Sequence, residues 1–342
     1  MKNMILKTLD DIEIRKNRIA VRVDWNVPID PPEGGKDGYR ILDDSRMRAS
    51  FPTFDELLNR GCRRIYIFTH LGKPKGYDEK LRTFPLKHHF VKIYPRYDQK
   101  KFTVLDNIRF DPREEKNSGI LAKRYAGFCE TFVNDAFSVC HRAHMSTVAI
   151  AKILPSCAGL LLQKEFKHLS KIRDHHKKPF VIIIGGAKIE DKKPMILAFE
   201  DKADWILVGG KTALEAEKDA NIKNQKNVIL PVDYLTNEQG DKWDIGPKTI
   251  KLFLAKITGA KSIFWNGNLG KSEEKGFEKA SVEIAQKLAK SSAEVITAGG
   301  DTEALISQLG LEEKYRYVSL SGGASLEFMA GKKLPGLEVL LK

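Results

Sequence analysis

The sequence predicts an α/β protein made of two doubly wound parallel-sheet domains joined by a helix. Three observations predict it. Short apolar, β-branched runs recur at helix-sized intervals, and the stretches between many of them carry an apolar residue every three or four positions. The residues that follow these runs also change character between the halves, from charged and amide side chains to paired glycines. Alternation of strand and helix periodicities is the pattern of βα units with mainly parallel sheets.

In the first half the strand candidates are "RIAVRVDW", "RRIYIFTH", "FTVLDN" and "ETFVNDAF", with "SRMRASFPTFDELLNRG" helical in its spacing. Open α/β sheets bind ligands at the carboxyl ends of their strands, so the residues just past each run are the ones to inspect. They are Asp24 and Asn26, His70 and Lys73, Asn107 and Arg109, then Asn134, Asp135, His141 and Arg142. Next, "PSCAGLLLQKEFKHLSKIRDHHKK" has helical spacing and no Gly/Ser richness. It is expected to be a connecting helix beginning after Pro155.

The second half offers "PFVIIIGG", "WILVGG", "NVILPV", "SIFWNG", "VITAGG" and "YVSLSGG", with "FEKASVEIAQKLAKSS" helical. Its tips are glycine pairs: Gly185-Gly186, Gly209-Gly210, Gly299-Gly300 and Gly322-Gly323. One pair only permits a tight turn. Four at successive tips predict helix N-termini presenting bare N–H groups to an anion, with polyphosphate the natural guest. In "GGAKIEDKK" the spacing predicts Lys188 and Lys192 on one face of a helix starting after Gly186. "WNGNLGKS" and "VGGKTA" are not P-loops, since Trp265 and Trp205 stand where that motif has its first glycine, and no G-x-G-x-x-G follows a strand.

Composition narrows the function classes. A chain of 342 residues, 42% hydrophobic and 30% charged, suits two globular domains. No signal-like start and no apolar run near the roughly 18 residues of a membrane span are seen, so no membrane partner and a cytoplasmic location are expected. Four cysteines without a Cys-x-x-Cys pair argue against a disulfide framework or zinc site. The net charge of +13 is spread among carboxylates without aromatic interleaving, so small anionic substrates are expected and no nucleic acid. Fifteen of the 17 arginines lie in residues 1–155, and arginine is the side chain suited to bidentate grip on carboxylate or phosphate. No apolar stripe demands a partner, so a monomer is expected.

"VRVDWNVPI", "HLGKPKG", "LDNIRFDPREEKN", "VNDAFSVCHRAHMSTVAI", "GGAKIEDKK", "DIGPKT", "FWNGNLG", "GGDTEA" and "SGGASLEF" occur in the order found in phosphoglycerate kinases, which the chain resembles along nearly its whole length. The resemblance implies two Rossmann-like domains. Residues 1–155 would bind phosphoglycerate, with the tail 331–342 packing back on them; residues 156–171 would be connecting helix and hinge, and 172–330 would bind nucleotide. The implied activity is reversible phosphoryl transfer between ATP and 3-phosphoglycerate, giving ADP and 1,3-bisphosphoglycerate, with Mg2+, as in glycolysis and gluconeogenesis.

Carried over by motif, Asp24, Asn26, Arg46, His70, Lys73, Arg109 and Arg142 would bind the phosphoglycerate. Lys188, Lys192, Gly209, Gly210, Asn266, Glu273, Gly299, Gly300, Asp301 and Thr302 would bind the nucleotide, with Asp301 holding the metal. Arg46, Lys188, Gly322 and Gly323 would cover the charge of the moving group when the domains close. No general base is implied, because the acceptor carboxylate has no proton to lose. His141 and His144 have an ordinary reading as packed or hydrogen-bonded side chains. An alternative is a catalytically impaired nucleotide- or anion-binding protein on the same fold.

The chain also departs from the family pattern. Lys73 replaces a usual arginine, "NGNLGKSEE" stands where Pro-Met-Gly-Val-Phe-Glu is usual, and "VGGKTA" has Lys211 in place of a third glycine. Only "LTNEQGDKW" separates "PVDY" from "DIGPKT", a region that normally helps build the adenine pocket.

Overall fold

The computed structural model describes residues 4–30, 39–96 and 98–342. The chain forms two compact units, Met1–Phe166 with Lys333–Lys342, and Lys167–Lys332.

The first unit contains β1 (Arg18–Arg22), a short antiparallel pair β2 (Ile29–Asp30) and β3 (Arg40–Ile41), then β4 (Arg64–Phe68), β5 (Phe102–Val104), β6 (Thr131–Asn134) and β7 (Ser156–Ala158). Its helices are α1 (Ser45–Ala49), α2 (Phe51–Asn59), α3 (Phe84–Ile93) and α4 (Gly119–Ala126). The main sheet is parallel with the order β5-β4-β1-β6-β7. The chain therefore lays β4 and β5 on one side of β1 and returns to lay β6 and β7 on the other. At such a reversal the connections leave on opposite faces and a crevice opens at the strand tips.

Both faces of β1 are buried, as an all-parallel sheet requires. Ile19 and Val21 enter a cluster that includes Trp25, Phe54 and Phe90, whereas Ala20 packs with Phe68 and Phe132 on the other face. The Trp25 indole donates to Ser50 Oγ at 3.1 Å, so the buried ring keeps its hydrogen bond.

Helix α5 (Leu160–His175) carries the chain from one unit into the other. It starts later than the sequence spacing predicts. Ser156–Ala158 are fully buried and extend the sheet beside β6. The helix begins only where its first N–H groups find acceptors: Leu160 N donates to Thr53 Oγ1, and Leu161 N and Leu162 N donate to Asp135 Oδ1.

The second unit contains β8 (Phe180–Ile184), α6 (Lys193–Ala198), β9 (Trp205–Val208), α7 (Gly210–Ala216), α8 (Ala220–Lys223) and β10 (Val228–Ile229). An antiparallel pair β11 (Tyr234–Thr236) and β12 (Lys242–Ile245) follows, then α9 (Pro247–Ile257), β13 (Ser262–Asn266), α10 (Lys279–Ala289), β14 (Glu294–Ala298), α11 (Gly300–Gln308), β15 (Tyr317–Ser319) and α12 (Gly323–Met329). The six-stranded sheet is parallel, ordered β10-β9-β8-β13-β14-β15, so its reversal lies between β8 and β13. Val181, Ile183, Ile263 and Trp265 form its core with α9 and α10 residues such as Phe253 and Ile284. Helix α13 (Pro335–Glu338) belongs to the first unit, where Leu334, Leu337 and Leu340 are buried.

Two further sequence expectations change. The helical stretch 45–59 is broken at Ser50 into α1 and α2, with Pro52 in the first turn of the second. Lys188 and Lys192 are not on a helix that starts after Gly186. The segment after Gly186 is an irregular turn, and α6 begins at Lys193 with Pro194 in its first turn. The turn has its own hydrogen bonds: Ile189 N donates to Glu215 Oε2, and both Lys192 N and Lys193 N donate to Ile189 O.

Candidate active site

In the first unit the tips of β1, β4 and β6 and the adjoining loops gather a basic cluster at the chain reversal. Asp24, two residues past β1, accepts from Arg46 Nη1 at 2.6 Å and from Ser138 Oγ at 2.5 Å, with His70 Nδ1 3.9 Å from its other oxygen. Arg22, the end residue of β1, is 1% exposed. Its Nη2 lies 3.1 Å from His70 Nδ1, its Nε donates to Ser146 Oγ, and its Nη1 donates to the carbonyl of Val23. Arg109 Nη1 donates to Gly72 O at 2.9 Å, while Gly72 N donates to Asn26 Oδ1 at 2.8 Å. Lys73, the next residue, is exposed. Arg142 Nε donates to His141 Nε2, and Arg142 is close enough to depress the affinity of His70 and His144 for protons.

The charges explain each other. Burial would raise the Asp24 carboxyl, but His70, Arg46, Ser138 and Arg22 outweigh it and hold the group well below the ordinary carboxylate range. Burial, then Arg22, drives His70 well below its usual value, against the pull of Asp24. His144 is pushed down to about 4 by burial and by Arg109, Arg142 and Arg22. Arg109 itself is lowered to about 10, by burial first and then by Arg22 and Arg142. Crowded cations that lower one another's proton affinity form a place prepared for an anion.

Beneath this cluster Glu114 is fully buried and accepts from Ser146 Oγ at 2.5 Å and Ser146 N at 3.0 Å. Burial raises its carboxyl, opposed by Arg22 and Ser146.

In the second unit the chain reversal between β8 and β13 brings the glycine tips together. A Cβ at Gly185 would lie 2.0 Å from Asn268 O, so only glycine lets these two loops touch. Gly210, at φ +61°, has Gly186 N and Asn268 O about its Cα, and its own N–H donates to Leu269 O. A Cβ at Gly322 would stand 3.7 Å from Gly299 Cα. Helices α7, α11 and α12 start at the second glycine of their pairs, as the sequence predicts, while the Gly185-Gly186 pair leads into the turn.

Lys192 is buried, and its Nζ would lie 3.1 Å from a Cβ at Gly186, placing the ammonium at the tip of β8. Burial lowers its affinity for protons, and Asp191 and Asp301 oppose that. Lys188 is exposed on the turn. Asn266 and Thr302 face inward: Asn266 Nδ2 donates to Ala298 O at 2.6 Å, and Thr302 Oγ1 accepts from Gly267 N at 2.8 Å. These side chains hold the glycine loop in shape. A cleft of about 1130 Å³ opens beside the tips, with Gly186, Gly210, Asn268, Glu273 and Asp301 in its wall.

Sequence reasoning missed Arg22, Ser138, Glu114 and Asn268. A signal for Arg22 was available, since an arginine within a strand buried on both faces needs a polar reason to be there. Ser138 and Glu114 carry no such mark, and only the fold brings them against Asp24 and Ser146.

The description of the phosphoglycerate kinase family matches residues 9–97, 88–223 and 211–332. A phosphoglycerate kinase of Thermomicrobium roseum is 33% identical over 399 aligned residues, covering 98% of this chain and 100% of the relative. One from Fervidobacterium nodosum is 36% identical, covering 96% and 97%. Among solved structures, the phosphoglycerate kinase of Coxiella burnetii superposes with a TM-score of 0.81 at 28% identity, over 98% of this chain and 99% of that one. That of Pyrococcus horikoshii superposes at 0.84 and 25% identity, over 98% of each.

Proposed function

The chain belongs to the phosphoglycerate kinase family and transfers a phosphoryl group between ATP and a carboxylate acceptor, and from this premise we propose how its residues divide the work. The basic cluster of the first unit binds 3-phosphoglycerate. Arg109, Arg142 and His70 hold its anionic groups, Asn26 and Lys73 flank them, and Asp24 orients Arg46 toward the acceptor. The glycine tips of the second unit bind the polyphosphate of ATP or ADP, with Lys192 at the β8 tip and Lys188 on the mobile charge.

The observation that carries this division is the gathering of His70, Arg22, Arg109 and Arg142 about Asp24 at the strand tips of the first unit. Asp24 is held ionised, its Oδ2 accepts from Arg46 and Ser138 and its Oδ1 from Asn26 N, so it serves as a positioning group and no base is needed. Transfer instead depends on in-line alignment of two anions and on cover for the charge of a metaphosphate-like group. In the second unit, Lys188 and the N–H groups of Gly322 and Gly323 would supply that cover.

Magnesium would be held at Asp301. Its carboxylate is exposed in the cleft wall in the first turn of α11, and a single carboxylate plus substrate phosphates is an ordinary magnesium site. A magnesium ion held there would supply positive charge against that of the phosphates. Asn266 and Thr302 act by keeping the Gly267 loop in shape, and Glu273, in the cleft wall, is assigned to the ribose.

A coupled assay with ATP, magnesium and 3-phosphoglycerate tests the proposal. Lys188→Ala should lower kcat roughly a hundredfold, about 3 kcal/mol, as loss of one charge-stabilising donor does. Turnover unchanged in that variant would remove Lys188 from the mechanism.

A further inference from the structure

Arg46 rides on a helix of little more than one turn. Helix α1 has five residues, and a helix of that length needs support from outside itself. Asp44 occupies its N-cap position, where a carboxylate ordinarily accepts from the first N–H groups, yet this side chain caps nothing. It turns outward instead. Asp44 Oδ1 accepts from Arg48 Nε at 2.7 Å, and Oδ2 accepts from Arg48 Nη2 at 2.9 Å and lies 2.8 Å from His89 Nε2. Burial would raise the Asp44 carboxyl, but Arg48 and His89 outweigh it and hold the group below its ordinary value. An ionised carboxylate only accepts, so His89 Nε2 carries the hydrogen of this bond.

The two partners of Asp44 differ in reach. Arg48 is four residues along, so its pair with Asp44 is internal to α1. His89 comes from α3, 45 positions on in the chain, and joins α1 to that helix. Helix α3 is itself well seated, because Phe90, next to His89, is buried, packs on the Trp25 ring at 5.2 Å and stacks on Tyr94 at 5.3 Å. Trp25 stands between Asp24 and Asn26. One aromatic floor thus sets the place of His89 and of the β1 tip. Position 46 lies roughly 200° round the turn from position 44, and there the Arg46 guanidinium donates to Asp24 at 2.6 Å. The short helix is therefore fastened on both sides, to α3 through Asp44 and to the β1 tip through Arg46.

We propose that His89 is a positioning residue for phosphoryl transfer, fixing through Asp44 the turn of α1 that presents Arg46 to the acceptor carboxylate. The proposal rests on the reading of Arg46 as the cation that meets the acceptor. Asp24 holds only the far end of a long side chain, whereas the direction from which the guanidinium approaches is set by its backbone. A displacement of about 1 Å, arising away from the chemistry, is enough to slow a reaction that depends on alignment.

The test is a cycle of variants of the full chain in the coupled assay. His89→Leu should lower kcat about tenfold and leave KM for ATP unchanged, the pattern of an interaction expressed in the transition state. His89→Gln, whose amide N–H can donate to the same oxygen, should recover most of that turnover. With Arg46→Ala as background, His89→Leu should cost nothing further in kcat, because the group it positions is gone. A merely structural role would show as a loss of stability in urea unfolding and the same loss of kcat in both backgrounds. A tenfold loss that persists without Arg46, or an unchanged kcat in His89→Leu, overturns the proposal while the reading of Arg46 stands. Full turnover in Arg46→Ala would overturn that reading and the proposal with it. Should His89→Leu fail to fold, Asp44→Asn, which keeps an acceptor and loses the charge, goes through the same cycle with the same expectation.

Discussion

Arg22 sits in a space with almost no solvent, and its attraction is the largest influence opposing the burial that raises the Glu114 carboxyl. Removing one member of a buried charge set leaves the other uncompensated, which costs roughly 3–5 kcal/mol. Glu114→Ala should therefore lower the unfolding free energy by about 3 kcal/mol in urea titration, with Glu114→Gln costing less because it keeps an acceptor for Ser146. At Gly185 the obstacle is steric. A methyl group there would meet a backbone carbonyl, which cannot swing aside, so Gly185→Ala should force the Asn268 loop away and weaken MgADP binding at least tenfold, by analogy with displaced phosphate-contacting backbone.

Among the elements, α5 has the most telling start. Asp135 is fully buried with Oδ2 lacking a partner, and burial raises its carboxyl to about 7 against the pull of Thr53, Leu162 and Leu161. A carboxyl with its folded value above its unfolded value binds more protons in the folded state between the two. Its contribution is complete below about pH 4 and is lost as pH rises through about 7. The loss is on the order of 4 kcal/mol, from a shift of about three units. Asp135→Asn keeps the acceptor for the helix and removes the titration. Urea unfolding between pH 5 and pH 8 should therefore be flatter for the variant, and an unchanged slope would assign the pH dependence elsewhere.

The elements also show what was legible in the sequence. Strand periodicity and glycine pairs are local properties, so the ten expected strands and three of the four expected glycine-led junctions are where the sequence places them. The α5 start was not legible, because its first acceptors come from Thr53 and Asp135, far away in the chain. The turn carrying Lys188 depends in the same way on Glu215. At the site, the residues proposed to bind an anion announce themselves as cations at strand tips, whereas those that hold them, such as Ser138 and Glu114, are identified only by their neighbours.

For the whole molecule, the first unit is discontinuous. Lys7 N donates to Leu340 O, Lys342 N to Ile5 O, and Gly336 N to Cys140 O, with Leu334, Leu337 and Leu340 buried in the same unit. Burying three leucine side chains is worth about 6 kcal/mol before entropy is counted. Deleting residues 333–342 should lower the stability of the first unit by several kcal/mol, read as an earlier unfolding transition and loss of 3-phosphoglycerate binding. MgADP binding by the contiguous Lys167–Lys332 should persist.

The same discontinuity orders events on the ribosome. A domain made early in translation ordinarily folds before the next emerges. Here Leu6 pairs with Leu341, so a segment made before the second unit must wait for residues made after it. The second unit can be complete while the first still exposes unfilled apolar sites, and the interval between them is the period in which the nascent chain most needs a chaperone.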